Sequence, residues 1–202
     1  MGRTSDAKER LLTAALDLIW TSSYGSVSVE DICVRADVRK GSFYYFFPSK
    51  SALALAAYEA KWREGRPLFD AIFSPQVPPL DRIENWCQTL YALQKEKFEQ
   101  FGHVVGCPYC NVGSELATQD PKIRAIAEEM MGRMFRYLET AIAEAKREGV
   151  VSVRDPKQAA QEACSFVNGR LLQAKVQNDP ELLGDLVSPV FRLLGAAAVS
   201  FS

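Results

Sequence analysis

VSVEDICVRADVRKGSFYYFFPSK, residues 27 to 50, governs how the rest of this 202-residue chain is read. Ser28 has the chemistry of a helix N-cap, and Asp31, three residues on, stands where a capping-box acid returns the hydrogen bond. Val29, Ile32 and Cys33 then repeat at helical spacing on one face. Ala36-Asp37-Val38 is long enough only for a turn, and aspartate is among the few non-glycine residues that tolerate a left-handed backbone. A second short helix is expected from Arg39 to about Phe47. In it Phe43 and Phe47, four apart, turn inward, while Lys40, Ser42, Tyr44 and Tyr45 point elsewhere. A plain amphipathic helix with half-buried tyrosines is one reading of that outer face. DNA is the favoured one, because a helix-turn-helix puts such a basic, hydroxyl-rich face into the major groove.

Together with its flanks, over residues 5 to 53, this stretch resembles the DNA-binding domain of TetR-type repressors. Ser28, Val29, Asp31, Ile32, Ala36, Val38, Lys40, Gly41, Tyr44, Tyr45, Phe47, Ser49 and Lys50 carry the likeness, a chain of matches far more specific than one short motif. Three positions depart: Asp37 for the turn glycine, Arg39 for the serine that caps the recognition helix, and Phe46 for the usual histidine or tyrosine. Arg39 adds a fork-shaped donor at the groove end of the helix, so base preference does not carry over. The resemblance implies a DNA-facing set of Ser28, Arg39, Lys40, Gly41, Ser42, Tyr44, Tyr45 and Lys50. Lys40, Tyr44 and Lys50 are expected on the phosphate backbone, with Arg39, Ser42 and Tyr45 nearer the bases.

Composition is that of a globular protein, 48% hydrophobic and 24% charged, with a net charge of −1. That balance argues little for nucleic acid by itself. Four basic residues, Arg35, Arg39, Lys40 and Lys50, nevertheless lie in or beside the quoted stretch. No run approaches the roughly 20 apolar residues of a membrane span, and MGRTSDAKER is not followed by a secretory h-region. A cytoplasmic protein without a membrane partner is expected. Five cysteines are an odd number for a disulfide framework.

Taken in order, the chain reads as all-α, with about nine helices: a three-helix DNA-binding domain over residues 1–50, then a helical effector-binding and dimerisation domain over 51–202. The first helix is expected from Ser5 to Ser22. Ser49 caps a fourth, alanine-rich helix in which Pro67 marks a kink or restart, and residues 74–79 form a loop. A long helix follows from about Leu80 to Gln100 and stops at Gly102. Asp-Pro pairs at 120–121, 155–156 and 179–180 each signal a helix start, since aspartate caps and proline suits the first helical position. The last of these is expected to open the final helix, kinked at Pro189. The two C-terminal helices carry broad small and apolar faces, Ala197 and Ala198 among them. By resemblance they form a homodimer interface, and a two-fold dimer is also what a palindromic operator requires.

Aromatic and sulfur side chains crowd the second half. Most belong to a core; Trp86, Tyr91, His103, Cys107, Tyr109, Cys110, Met134, Phe135 and Phe166 are candidates for an apolar effector pocket between helices. Cys107-Pro108-Tyr109-Cys110, four residues after His103, admits three readings. The cysteines pack as small hydrophobes; or they sense electrophiles and oxidants, helix N-terminal amides favouring a thiolate; or with His103 they bind a metal, one ligand short of a structural zinc site. Gly106, Cys107, Asn111 and Glu115 are similar to a segment of one TetR subgroup, some of whose members respond to electrophiles through a cysteine here.

A ligand-responsive transcriptional repressor is therefore expected, a homodimer on palindromic operator DNA released by a small hydrophobic or aromatic effector. Thiol sensing through Cys107 and Cys110 is the alternative input. A cysteine-dependent enzyme is remote, because the chain has one histidine and lacks a phosphate-binding glycine loop. No cofactor and no resident metal are expected.

Overall fold

The computed structural model describes the backbone of residues 2–196 and the side chains of residues 6–196. Within them are nine α-helices: α1 (Gly2–Thr21), α2 (Val29–Ala36), α3 (Lys40–Phe46), α4 (Lys50–Ile72), α5 (Pro79–Phe101), α6 (Pro108–Leu116), α7 (Pro121–Arg147), α8 (Pro156–Gln177) and α9 (Val187–Leu193). A 3-10 turn, Pro180–Leu183, precedes α9. Among the described residues no helix is long and apolar enough to cross a membrane.

The contacts divide into two compact units. One runs through Arg66 and takes in Pro108–Met130; the other holds Pro67–Cys107 and the chain from Met131 on. This division differs from a cut at residue 50, since the DNA-binding helices share their unit with most of α4, with α6 and with the start of α7. In that first unit Leu11 and Ala15 of α1, Ile32 of α2, Phe43 of α3, Leu53 and Ala54 of α4 and Ile123 of α7 are wholly buried. A large apolar side chain fully buried in this way contributes roughly 1.5–3 kcal/mol relative to exposure. α4 starts where Ser49 Oγ accepts the Ala52 N–H at 3.1 Å, and it runs on through Pro67 without ending.

The second unit is built from the last residues of α4 (67–72), α5, the later part of α7, α8, the 3-10 turn and α9. Ile83, Leu138, Ile142, Ala145, Ala160, Ala163, Ala174, Val190 and Leu194 form its centre. Among the described residues one charged side chain is buried there: Arg82 of α5 donates to the Val77 carbonyl at 2.6 Å and pairs with Glu144 of α7 at 2.6 Å. That pair ties the 74–78 turn and α5 to α7.

Two of the three Asp-Pro signals behave as expected. Asp120 accepts the Lys122 N–H at 2.9 Å and Asp155 accepts that of Lys157 at 2.9 Å, each opening a long helix. The third needs correction. Asp179 does cap, accepting the Glu181 N–H at 2.9 Å, but only the four-residue 3-10 turn follows. The chain then breaks at Gly184-Asp185-Leu186, and Asp185 accepts the Ser188 N–H at 3.2 Å to restart as α9. Pro189 therefore sits in the first turn of α9, where its missing N–H has no intrahelical acceptor to lose, and it does not kink the helix. Ala197 and Ala198 lie outside the described residues.

Candidate nucleic-acid interface

The geometry begins at the capping box. The Asp31 N–H donates to Ser28 Oγ at 3.1 Å, and the Ser28 N–H donates to Asp31 Oδ2 at 2.8 Å, so two of the amides at the start of α2 are satisfied reciprocally. At its end Asp37 is left-handed (φ 51°, ψ 52°), with its own N–H on the Val34 carbonyl and the Val38 N–H on that of Cys33. This double closure is a Schellman turn built on aspartate instead of glycine. Arg39 takes the N-cap position of α3 without any side-chain cap, its carbonyl accepting from Ser42 and Phe43.

α3 divides cleanly. Phe43 and, just after the helix, Phe47 are buried, while Arg39, Lys40, Gly41, Tyr44 and Tyr45 are exposed and Ser42 is half-buried. Tyr45 is 77% exposed and Tyr44 53%. Among the described residues the Arg39 side chain and both tyrosine hydroxyls have no hydrogen-bond partner. Gly41 weakens the helix by roughly 0.5–1 kcal/mol relative to alanine. A Cβ placed there meets nothing within 4 Å, so nothing inside the protein requires the glycine. Lys40 pairs with Glu30, which raises the lysine pKa and lowers that of the glutamate, chiefly through the hydrogen bond between them. Both groups are exposed, where such pairs are worth little, so a phosphate can replace the carboxylate readily.

Lys50 is engaged within the protein. Its ammonium donates to the Tyr24 and Val27 carbonyls, each at 2.8 Å, and lies 3.9 Å from the centre of the Tyr24 ring. Partial burial lowers its pKa, with Glu115 pulling the other way. Two of its three donors thus hold the turn between α1 and α2. Sequence reasoning also passed over Val34, an apolar residue 82% exposed on α2; its position off the Val29-Ile32-Cys33 face was the available signal.

Comparison with known proteins agrees with this geometry. Residues 11–57 match the family model for bacterial regulatory proteins of the tetR family, and residues 79–188 match that for the tetracyclin repressor-like C-terminal domain. The chain belongs to the TetR family. It is 29% identical to an uncharacterized HTH-type transcriptional regulator of Lactococcus lactis, over 94% of this chain and 95% of the relative. It is 24% identical to the transcriptional repressor NemR of Escherichia coli, over 96% of each. A crystal structure of regulatory protein TetR from Rhodobacter sphaeroides superposes with a TM-score of 0.82 at 28% identity, covering 93% of this chain and 98% of that one. As a TetR-family member the protein is a DNA-binding transcriptional regulator and not an enzyme.

The TetR-family C-terminal region receives most of the candidate effector residues. Trp86 is core; Tyr91, Met134, Phe135, Phe166 and Cys107 are half-buried against the second unit's core. Tyr91 donates its hydroxyl to Glu181 at 2.6 Å, and His103 Nδ1 lies 3.0 Å from the Phe101 carbonyl. Tyr109 and Cys110 belong to the first unit, where the Tyr109 ring packs against Tyr58 at 5.7 Å. Cys107 follows a clamped glycine: the Gly106 N–H donates to Gln94 Oε1 at 2.9 Å, and Gln94 Nε2 donates back to the Gly106 carbonyl at 3.3 Å. Among the described residues no three His, Cys, Asp or Glu side chains are grouped to hold a metal ion. Burial pushes the thiols of Cys87 and Cys164 up to about 12.

Proposed function

We propose that this regulator is a homodimeric, ligand-responsive repressor that acts in the cytoplasm on palindromic operator DNA and is released by a small hydrophobic or aromatic effector. DNA binding is assigned to residues 1–50, effector binding and dimerisation to 51–202. The observation that carries the reading is the outer face of α3, where Arg39, Lys40, Gly41, Tyr44 and Tyr45 stand exposed above a buried Phe43. Lys40 and Tyr44 contact phosphates, with Ser28 beside them. Gly41 lets the helix backbone approach the duplex, and Arg39, Ser42 and Tyr45 reach the base edges. Lys50 acts chiefly by holding the α1–α2 turn, with one donor left for a phosphate.

Dimerisation is supported by α8, whose Ser165, Gly169, Leu172 and Val176 fall on one exposed stripe, Leu172 at 62% and Val176 at 77%, and by Leu193 of α9 at 47%. Partly buried Met134, Phe135 and Phe166 supply apolar walls for an effector. A thiol input is the second reading, favoured by the position of Cys107: partly exposed, next to the first residue of α6, while Cys33, Cys87 and Cys164 are buried. A gel-shift titration on the DNA upstream of the protein's own gene, at several salt concentrations and with candidate apolar compounds and electrophiles, tests the proposal. Specific, salt-sensitive binding relieved by one compound class supports it. Binding that no compound alters contradicts the ligand-responsive part, and release by electrophiles that persists in Cys107→Ser contradicts the thiol reading.

A further inference from the structure

We propose that Glu115 is a positioning residue for DNA binding, its carboxylate on α6 fixing the turn that leads into the helix-turn-helix. The inference rests on the reading that α3 faces operator DNA. Glu115 Oε2 accepts the Tyr24 N–H at 3.0 Å, and Oε1 accepts the Gly25 N–H at 2.6 Å, across some ninety residues of sequence. On the other side of the same turn Lys50, the first residue of α4, takes the Tyr24 and Val27 carbonyls. The segment between α1 and α2 is thus gripped through its amides by α6 and through its carbonyls by α4. Ser28, the N-cap of α2, follows immediately.

Three further observations separate this from ordinary loop packing. The turn already closes on itself, Ser26 donating its N–H to Ser23 Oγ at 3.2 Å and sharing a hydroxyl contact at 3.0 Å, so the distant carboxylate is an addition to local bonding. Gly25 is exposed and has no positive φ, and a Cβ there stands 3.0 Å from Glu115 Oε1, so a side chain at this position makes the carboxylate give by a few tenths of an ångström. A parallel tie joins the next corner, Ser51 Oγ donating to Asp120 Oδ2 at 2.7 Å. The α6–α7 corner is therefore attached at two carboxylates, one to the turn before α2 and one to the start of α4. α6 is also the helix that Cys107 immediately precedes. A displacement of α6 pulls directly on the entry to α2, by a route that does not pass along α4.

The test uses a duplex that the wild-type protein enriches from a random-sequence pool, with a mixed-sequence duplex as control. Glu115→Gln keeps the side chain's size and one acceptor but loses the charge and the second acceptor. It should weaken binding to the enriched duplex about tenfold and binding to the control by no more than about twofold, as loss of one charge-assisted hydrogen bond implies. Hydrogen exchange at the Tyr24 and Gly25 amides should accelerate, with protection at Ile19 and Phe43 unchanged. Gly25→Ala, which leaves the carboxylate intact and pushes it aside, should act in the same direction. Because both variants break one contact, the double variant should bind within about twofold of the weaker single. Unchanged affinity for the enriched duplex in Glu115→Gln, losses that multiply in the double variant, or a general loss of amide protection overturns the inference. A wild type that enriches no duplex overturns the operator reading itself, a result distinct from any of these.

Discussion

Asp31 does two things with one carboxylate: it accepts the Ser28 N–H and the Ser28 hydroxyl, closing the capping box at the head of α2. Those hydrogen bonds, the side-chain one first, hold its pKa below the ordinary 3.8, and Ser51 does the same for Asp120. A carboxyl whose folded pKa is lowered contributes stability above its unfolded value and loses it as pH falls through the folded value. Urea midpoints should therefore fall as pH drops below the ordinary aspartate value, and Asp31→Asn should flatten that fall. At neutral pH Ser28→Ala should lower stability by about 1 kcal/mol, read from the same urea curves. The thiols give a second prediction. Iodoacetamide on the native protein, followed by mass spectrometry, should modify Cys107 and Cys110 and spare the buried Cys33, Cys87 and Cys164. Ser28, Asp31 and Asp37 were legible in the sequence because their partners lie within a few residues. Lys50 and Glu115 were not, for their partners are 26 and some 90 residues away.

At the scale of elements, the same local chemistry has different outcomes. Asp120-Pro121 and Asp155-Pro156 open helices of 27 and 22 residues, whereas Asp179-Pro180 opens only four residues of 3-10 turn. A cap sets where a helix starts; the residues beyond the first turn decide whether it continues. At Gly184 a Cβ meets the Glu181 carbonyl at 3.2 Å, and the next element, α9, starts after Leu186 with Asp185 accepting the Ser188 N–H. The left-handed Asn178 shows a further limit of the sequence, since its side chain also accepts the Val104 N–H at 3.0 Å and helps fix the irregular stretch after α5. Arg82, a charged residue on a long helix, is 2% exposed and held by Glu144 and the Val77 carbonyl. Removing one partner of a buried pair leaves a buried charge, so Glu144→Ala should destabilise the protein by about 3 kcal/mol in urea unfolding. A value near zero would mean that water reaches the Arg82 guanidinium.

For the whole molecule, the all-helical class and the TetR-type head were written in helical periodicity and in the match from Ser28 to Lys50. The division of contacts was not, because the sequence carries no local sign that α6 and the start of α7 share a unit with the DNA-binding helices. Nor does periodicity separate an apolar stripe that faces a partner from one that faces the core. On α8 Ala160, Ala163 and Val167 turn inward, while Leu172 and Val176 turn to solvent. If that outer stripe is the dimer interface, Leu172→Glu should halve the mass found by light scattering and weaken operator binding while leaving the helical circular dichroism unchanged. If an effector releases the protein from DNA, the coupling must be reciprocal, each lowering affinity for the other by the same factor.

The central claim is that the exposed face of α3 reads DNA. Its most direct measurement is the fluorescence anisotropy of the enriched duplex titrated with wild-type protein and with the Arg39→Ala, Tyr45→Ala double variant, at several salt concentrations. Wild-type affinity should fall linearly with salt on logarithmic axes, and the variant, equally helical, should bind the enriched duplex at least about tenfold more weakly. A variant that binds that duplex as tightly as wild type would contradict the claim.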